Sequence, residues 1–230
     1  MSTATRIAAI AGQEIRIARR NRWVALATGL FTLFALALTF LGAGQGAGVK
    51  ADILTLSAAS LATLSVYLIP LIALILSYDA LAGEAERGTL PLTLATPVKR
   101  WEMFAGKFLA QTAVVSAAIL IGYAIAGGAA AGLMGWQMSG LAAWGRLIAT
   151  SIALGAVFVA LRLAVSASTT RSGTAAAIAI GLWLVFVVLY DLALLGAVIA
   201  DDGGVFTKTV FPWLVLANPA DAFRIYNLVM

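Results

Sequence analysis

The chain has 230 residues, of which 62% are apolar and 11% charged, where soluble domains hold about 45–50% and about 25%; a water-soluble or disordered chain is excluded. With no cysteine and no histidine, disulfide frameworks, thiolate or imidazole metal sites and most catalytic triads fall as well. The net charge of +5 comes without the aromatic platforms of nucleic-acid binders, so no nucleic-acid partner is expected, and the class is an all-α membrane protein.

In residues 5–22, Ile7, Ile10, Ala11, Ile15 and Ala18 share one helical stripe while Arg16, Arg19, Arg20 and Arg22 fall toward the other side. This spacing predicts an amphipathic helix in the headgroup layer, its arginines toward anionic membrane lipid. Crossing about 30 Å of hydrocarbon takes roughly twenty residues of α-helix, and five such spans are predicted, at 23–42, 59–78, 108–134, 147–168 and 172–200. Arg162 interrupts the fourth and is expected to snorkel to the cytoplasmic interface. Asp191 interrupts the fifth, where a carboxylate implies a cavity, a partner or water. Arg162 lies at the wrong depth to pair with it, so a place in a translocation path or against an outer partner is one expectation, and satisfaction by water or backbone the other.

Counted by loop, eleven basic residues fall on one side: Arg6, Arg16, Arg19, Arg20, Arg22, Arg87, Lys99, Arg100, Lys107, Arg162 and Arg171. Four fall opposite: Lys50, Arg146, Lys208 and Arg224. The positive-inside rule therefore puts the N-terminus and the 79–107 loop in the cytoplasm, and residues 201–230 are expected as an outer segment.

The 79–107 loop is the least lipid-like stretch. Glu84, Glu86 and Arg87 crowd its start, and Gly88 breaks the chain. Thr89–Ala95 can form a short apolar helix with Pro91 in its first turn. Thr96 can then cap a second helix that has Pro97 at its first position and runs through Arg100 and Lys107 into the third span. An apolar helix at a water boundary, bounded by charges, calls for a partner over Leu90, Leu92 and Leu94; the alternative is an ordinary connector. On the outer side, Met134 and Met138 are spaced i, i+4, but two thioethers without histidine or cysteine make a poor copper site, so packing is expected and no metal residue is assigned.

The pattern Glu84, Gly88-Thr89-Leu90, Pro97, Arg100 and Gly106-Lys107-Phe108 resembles the cytoplasmic loop of ABC-2-type exporter permeases. A narrower resemblance rests on the run Ile69–Leu90, Pro212-Trp213-Leu214 and Asn218-Pro219-Ala220-Asp221 followed by Arg224. It is to permeases of that family that support copper-site maturation of nitrous oxide reductase. The resemblance covers most of the chain and implies a single permease domain, 1–230, of the bacterial inner membrane. It implies an N-terminal elbow helix and a coupling helix on which a separate cytoplasmic ATPase docks, through Glu84, Glu86, Arg87, Gly88, Thr89, Leu90, Leu92, Pro97, Arg100 and Lys107. It further implies a second copy of the chain in a homodimer and a periplasmic subunit, with Asp191, Asn218, Pro219, Asp221 and Arg224 in the translocation path or against that outer partner. Six spans belong to such a fold; five are expected here, the chain ending at Met230 where the sixth would begin.

The chain contains no G-x-x-x-x-G-K-[ST] loop, so ATP and magnesium are expected on the partner and no cofactor on this chain. Alternative readings are an ABC-2 permease for another cargo, such as a drug, lipid or peptide, and a passive anchor for a periplasmic protein. An intramembrane enzyme using Asp79, Glu84, Glu86 or Asp191 is disfavoured, because no two of these carboxylates are expected to converge.

Overall fold

The computed structural model describes residues 2–45, 53–77, 81–96, 98–134 and 139–228, and every regular element among them is helical. The chain begins with α1 (Thr3–Arg20) and α2 (Arg22–Gln45), joined at Asn21. The Ser2 hydroxyl caps α1 by accepting from the Thr5 amide, and the Asn21 side chain accepts from the Trp23 amide at 2.9 Å. Asn21 thus ends one helix and starts the next, because an asparagine oxygen can satisfy one of the amides left open in a first turn. Then come α3 (Ile53–Ser77), the short α4 (Ala82–Glu86) and α5 (Leu90–Leu94), and the long α6 (Arg100–Met134) and α7 (Ser139–Ser168).

Helix α8 (Ser172–Leu184) passes through a π-helical turn, Val185–Leu189, into α9 (Tyr190–Asp201). A second π-helical turn, Phe206–Val210, leads into α10 (Phe211–Ala217), followed by α11 (Pro219–Leu228). Five stretches are long and apolar enough to cross a membrane: Arg22–Leu41, Ser57–Leu76, Arg100–Gly132, Gly140–Ser168 and Ser172–Asp201. The number matches the sequence expectation. The loop helix runs into the third span as one unbroken helix, its start capped three residues later than Thr96–Pro97. There Glu102 reaches back to the Lys99 amide at 2.9 Å, half of a capping box. The fourth span begins before Arg146, whose guanidinium lies over the Tyr226 ring, 5.9 Å from its centroid.

Helix α3 is central, packing against α2, α6, α7, α8 and α11. Fully buried Ala58, Ala62, Ala73 and Ala126 let backbones approach closely, the source of helix association where lipid is as apolar as the side chains. Tyr123 on α6 joins the layers. Its hydroxyl hydrogen-bonds Ser65 on α3 and lies 3.1 Å from Ser151 Oγ on α7, and its ring packs 5.3 Å from Phe31 and 6.0 Å from Trp144. Arg162 departs from expectation: it is 0% exposed, enclosed by the bundle rather than extended along its surface.

Helix α1 lies against the first turns of α6 on the predicted stripe, with Ile7, Ile10, Ala11, Ile15 and Ala18 half-buried and Arg16, Arg19 and Arg20 exposed. The approach is closest at Gly106, where an added Cβ would sit 2.8 Å from both Cβ and Cγ2 of Ile10. Gly106→Ala is expected to cost about 1–3 kcal/mol through this overlap, read as a lower melting temperature in detergent. Gly12→Ala, on α1 with nothing within 4 Å of its added Cβ, should leave it unchanged or slightly raised; equal effects would show that the α1–α6 contact is loose.

Candidate functional site

Two sites gather the polar residues, one at each end of the bundle. The first is built around α4. Its C-terminus is a Schellman turn: the Gly88 amide bonds the Ala85 carbonyl at 3.1 Å and the Thr89 amide bonds the Glu84 carbonyl at 2.9 Å. That turn needs the left-handed backbone of Gly88, φ +68°. It projects the apolar α5 outward, leaving Leu92 71% exposed while Leu90 packs back on the core.

Three attachments hold α4 to the spans. The Ser166 hydroxyl near the end of α7 accepts from the amides of Leu81 (3.1 Å) and Ala82 (2.8 Å). Glu86 accepts from the Ser172 amide at 2.9 Å and from its hydroxyl, so its carboxylate caps the first turn of α8, where the helix dipole favours a negative charge. Hydrogen bonds first from the Ser172 hydroxyl and then from its amide hold the Glu86 carboxyl below the usual carboxylate range. This link is complete above that range and is lost as pH falls through the lowered value.

The third runs through Lys107, only 2% exposed on α6. Its ammonium donates to Glu84 Oε1 at 2.7 Å and to Glu14 Oε1 on α1. One turn away, Arg6 forks onto Glu102, Nη2 to Oε1 at 2.7 Å and Nε to Oε2 at 3.0 Å. A single small helix is therefore fastened to α6, α7 and α8, and it shares the Lys107 ammonium with Glu14 of α1.

The family resemblance assigns Glu84, Glu86, Arg87, Gly88, Thr89, Leu90, Leu92, Pro97, Arg100 and Lys107 to coupling with a cytoplasmic ATPase. Glu84 and Lys107 turn inward and bind each other, Glu86 binds α8, and Gly88 and Thr89 form the turn. Arg87, Leu92 and Arg100 are exposed. Pro97 lies outside the described residues, as do Asp79 and Met138 and the side chains of Leu94 and Met134. Arg6, Glu14, Glu102, Ser166 and Ser172 are additions. Glu14 had a signal, since it falls on the apolar stripe between Ala11 and Ala18, where a carboxylate needs a partner.

The second site is at the opposite end. After Asp201 the chain reverses through Asp202 (φ 44°) and Gly203 (φ 78°), and Asp201 Oδ2 accepts from the Thr207 amide at 2.8 Å. Helix α10 runs back beside α9, its Leu214 carbonyl accepting from the Tyr190 hydroxyl at 2.8 Å. It ends where Asn218 Nδ2 donates to the Phe186 carbonyl at 2.8 Å, about four turns below Asp201. Phe186 lies in the π-helical turn, where the Tyr190 amide bonds Val185 rather than the carbonyl four residues back.

Helix α11 then climbs again. Arg224 holds Asp191 through both terminal nitrogens, 2.8 Å each, and also binds Asp221. Asn227 meets Thr150 Oγ1 on α7 at 3.0 Å. The segment expected on the outer surface is a helical hairpin drawn back into the bundle, because Asn218, Asp221 and Asn227, all buried, find their partners there. Asp191, Asn218, Pro219, Asp221 and Arg224 are thus brought together, and Asp191 is satisfied by an arginine that span-counting had left outside. Asp191, Asp221 and Arg224 line one side of a cavity of about 380 Å³ whose other walls include Leu194, Val198 and Phe211.

Five helices long and apolar enough to cross a membrane, an amphipathic first helix and a charged block between the second and third are the architecture of a multi-pass membrane protein. Residues 8–228 match the family model described as "ABC-2 family transporter protein", and the chain belongs to that family. It is 39% identical over 221 residues to the Pseudomonas aeruginosa protein described as "Probable ABC transporter permease protein NosY". The Stutzerimonas stutzeri protein of the same description is 38% identical over 221 residues. Each match covers 95% of this chain and 80% of the relative. The chain is thus a NosY-like permease subunit of an ABC transporter, not itself the ATPase.

Proposed function

We propose that this permease couples ATP hydrolysis on a separate cytoplasmic ATPase to export or conformational signalling across the bacterial inner membrane, in the service of nitrous oxide reductase copper-site maturation. The observation that supports this most is the α4–α5 block. An apolar α5 carries Leu92 at 71% exposure, between exposed Arg87 and Arg100 in sequence, on a base tied to three other helices. Exposed leucine between guanidinium groups suits a partner groove with an apolar floor and an acidic rim.

When the ATPase subunits close on nucleotide, α5 is displaced with them. Glu86–Ser172 passes the displacement to the fifth span, Lys107 with its two carboxylates to α1 and α6, and Ser166 to α7. Two packings of the bundle then alternate, driven by the different contacts the nucleotide makes in each. In this reading the N-terminus and α4–α5 are cytoplasmic, two copies of the chain form the working unit, and a periplasmic subunit meets the α10–α11 hairpin. ATP and magnesium bind the partner, and this chain binds no cofactor.

The test is affinity purification of the chain from its native membrane, with co-eluting subunits identified and vanadate-sensitive ATP hydrolysis measured. An ATPase is expected to co-elute with the native chain and to be lost with Leu92→Glu combined with Arg100→Glu, by tenfold or more in recovered hydrolysis, roughly 1.4 kcal/mol or more of docking energy. Copper-deficient nitrous oxide reductase in the same strain supports the maturation role. Undiminished co-elution from the double variant would remove α5 from the docking surface.

A further inference from the structure

We propose that the face formed by α1, α2 and α6 holds one anionic phospholipid, its phosphate on the arginines at the end of α1 and an acyl chain in the groove between α2 and α6. Two cavities lie end to end there. The upper, about 270 Å³, is lined by Ile15, Ala18, Arg19, Val24, Thr28 and Ala117, among others. The lower, about 640 Å³, shares Thr28 and Ile121 with it and continues to Leu36 and Ile125. From Val24 to Leu36 the helix rises about 18 Å, close to the roughly 15 Å of hydrocarbon in one leaflet. The groove has the length of an acyl chain lying in its own half of the bilayer.

Its walls stay open because Gly29 carries no side chain and the threonines turn inward, Thr28 Oγ1 to the Val24 carbonyl and Thr32 Oγ1 to the Thr28 carbonyl, both 2.8 Å. With their hydroxyls so engaged, the lining presents methyl groups to the occupant.

The charge sits at one end only. Arg19 lines the mouth of the upper cavity. Arg16, Arg20 and Arg22 are exposed beside it in sequence, and none of the four is in an ion pair among the described residues. The acidic residue nearest in α1, Glu14, is already engaged by Lys107. A guanidinium cluster left without a carboxylate, at the mouth of an apolar groove of leaflet depth, matches a phosphodiester headgroup with its tail attached. It does not match a free phosphate, which has no use for the groove, or a zwitterionic lipid, whose own ammonium competes with the arginines.

The test is native mass spectrometry of the full chain purified in detergent and titrated with phosphatidylglycerol or with phosphatidylcholine. The native chain is expected to take up one phosphatidylglycerol saturably and phosphatidylcholine more weakly. Arg19→Gln should weaken phosphatidylglycerol by about fivefold and leave phosphatidylcholine unchanged. Gly29→Phe, whose added Cβ meets nothing within 4 Å, fills the groove and should weaken both lipids at an unchanged melting temperature. Stepwise uptake without saturation, or variants that bind like the native chain, would overturn the site and leave only annular lipid. Loss of binding in Gly29→Phe together with a loss of chain dimers would assign the groove to a second copy instead.

Discussion

Replacing Lys107 with methionine is expected to lower the melting temperature in detergent more than any other single change at the α4 end of the bundle. Methionine fills much the same volume, so the packing of α6 survives while the charge is removed. Left behind are Glu14 and Glu84, two carboxylates about a fifth exposed that meet over the vacated position. Removing one partner of a buried ion pair costs about 3–5 kcal/mol, because the remaining charge has lost water without gaining a counter-ion. Partial exposure puts this case near the lower end, about 3 kcal/mol, which for a chain of this size corresponds to roughly 10 °C.

Charge and shape are separable by adding Glu14→Gln and Glu84→Gln to the same chain. The triple variant has no uncompensated charge and should recover most of the loss, as a neutral replacement of a whole buried network does. A triple variant as unstable as Lys107→Met would mean that the lysine acts by its shape. An unchanged melting temperature in Lys107→Met would mean that α1 and α4 are held by apolar contacts alone.

Arg224→Leu is expected to have the second largest effect, confined to the opposite end. The guanidinium grips Asp191 on α9 with two nitrogens and Asp221 on its own helix, so its loss sets two carboxylates against each other beside an apolar cavity, again at about 3 kcal/mol. Arg224→Lys keeps the charge but not the fork, and should fall between. The absence of native cysteine gives a direct readout. A single cysteine at Ile225, exposed beside the cavity, should react severalfold faster with a membrane-impermeant maleimide in Arg224→Leu, as the hairpin loosens. Equal labelling rates in all three backgrounds would show that Asn218 and Asn227 suffice to hold it.

The parts of this fold that were legible depend on local pattern. Uncharged runs about twenty residues long gave the five crossings, because the bilayer imposes that length regardless of neighbours. The stripe Ile7, Ile10, Ala11, Ile15, Ala18 gave α1 and the face it buries. The parts that were not legible depend on pairing across the chain. Phe206–Ala217 is too short to span, and its return along α9 is dictated by Asn218 finding a carbonyl 32 positions away, which no periodicity encodes. Asp191 was readable as needing a partner, but Arg224 lay in a segment that charge counting had placed outside. Glu84 and Lys107 were assigned to the coupling loop by the family pattern, which carries no information on which way their side chains turn. Their inward turn follows from Glu14, a residue whose meaning appears only once α1 is laid on α6. Arg162 was assigned to an interface by its position near a helix end, whereas the neighbouring helices close over it.

The length of α6 has a mechanical consequence. Thirty-five residues make a rod of about 52 Å, well beyond the hydrocarbon it crosses, and Tyr123 is pinned along it by Ser65, Ser151, Phe31 and Trp144. From Arg100 to that pin is about 34 Å, and from the pin to Met134 about 16 Å. If the rod turned about Tyr123 it would work as an unequal balance beam: a sideways swing at the Arg100 end would reappear at the Met134 end reversed and halved. The end that carries Lys107 is the long arm, so a broad, weak movement there would become a short, forceful one at the other end.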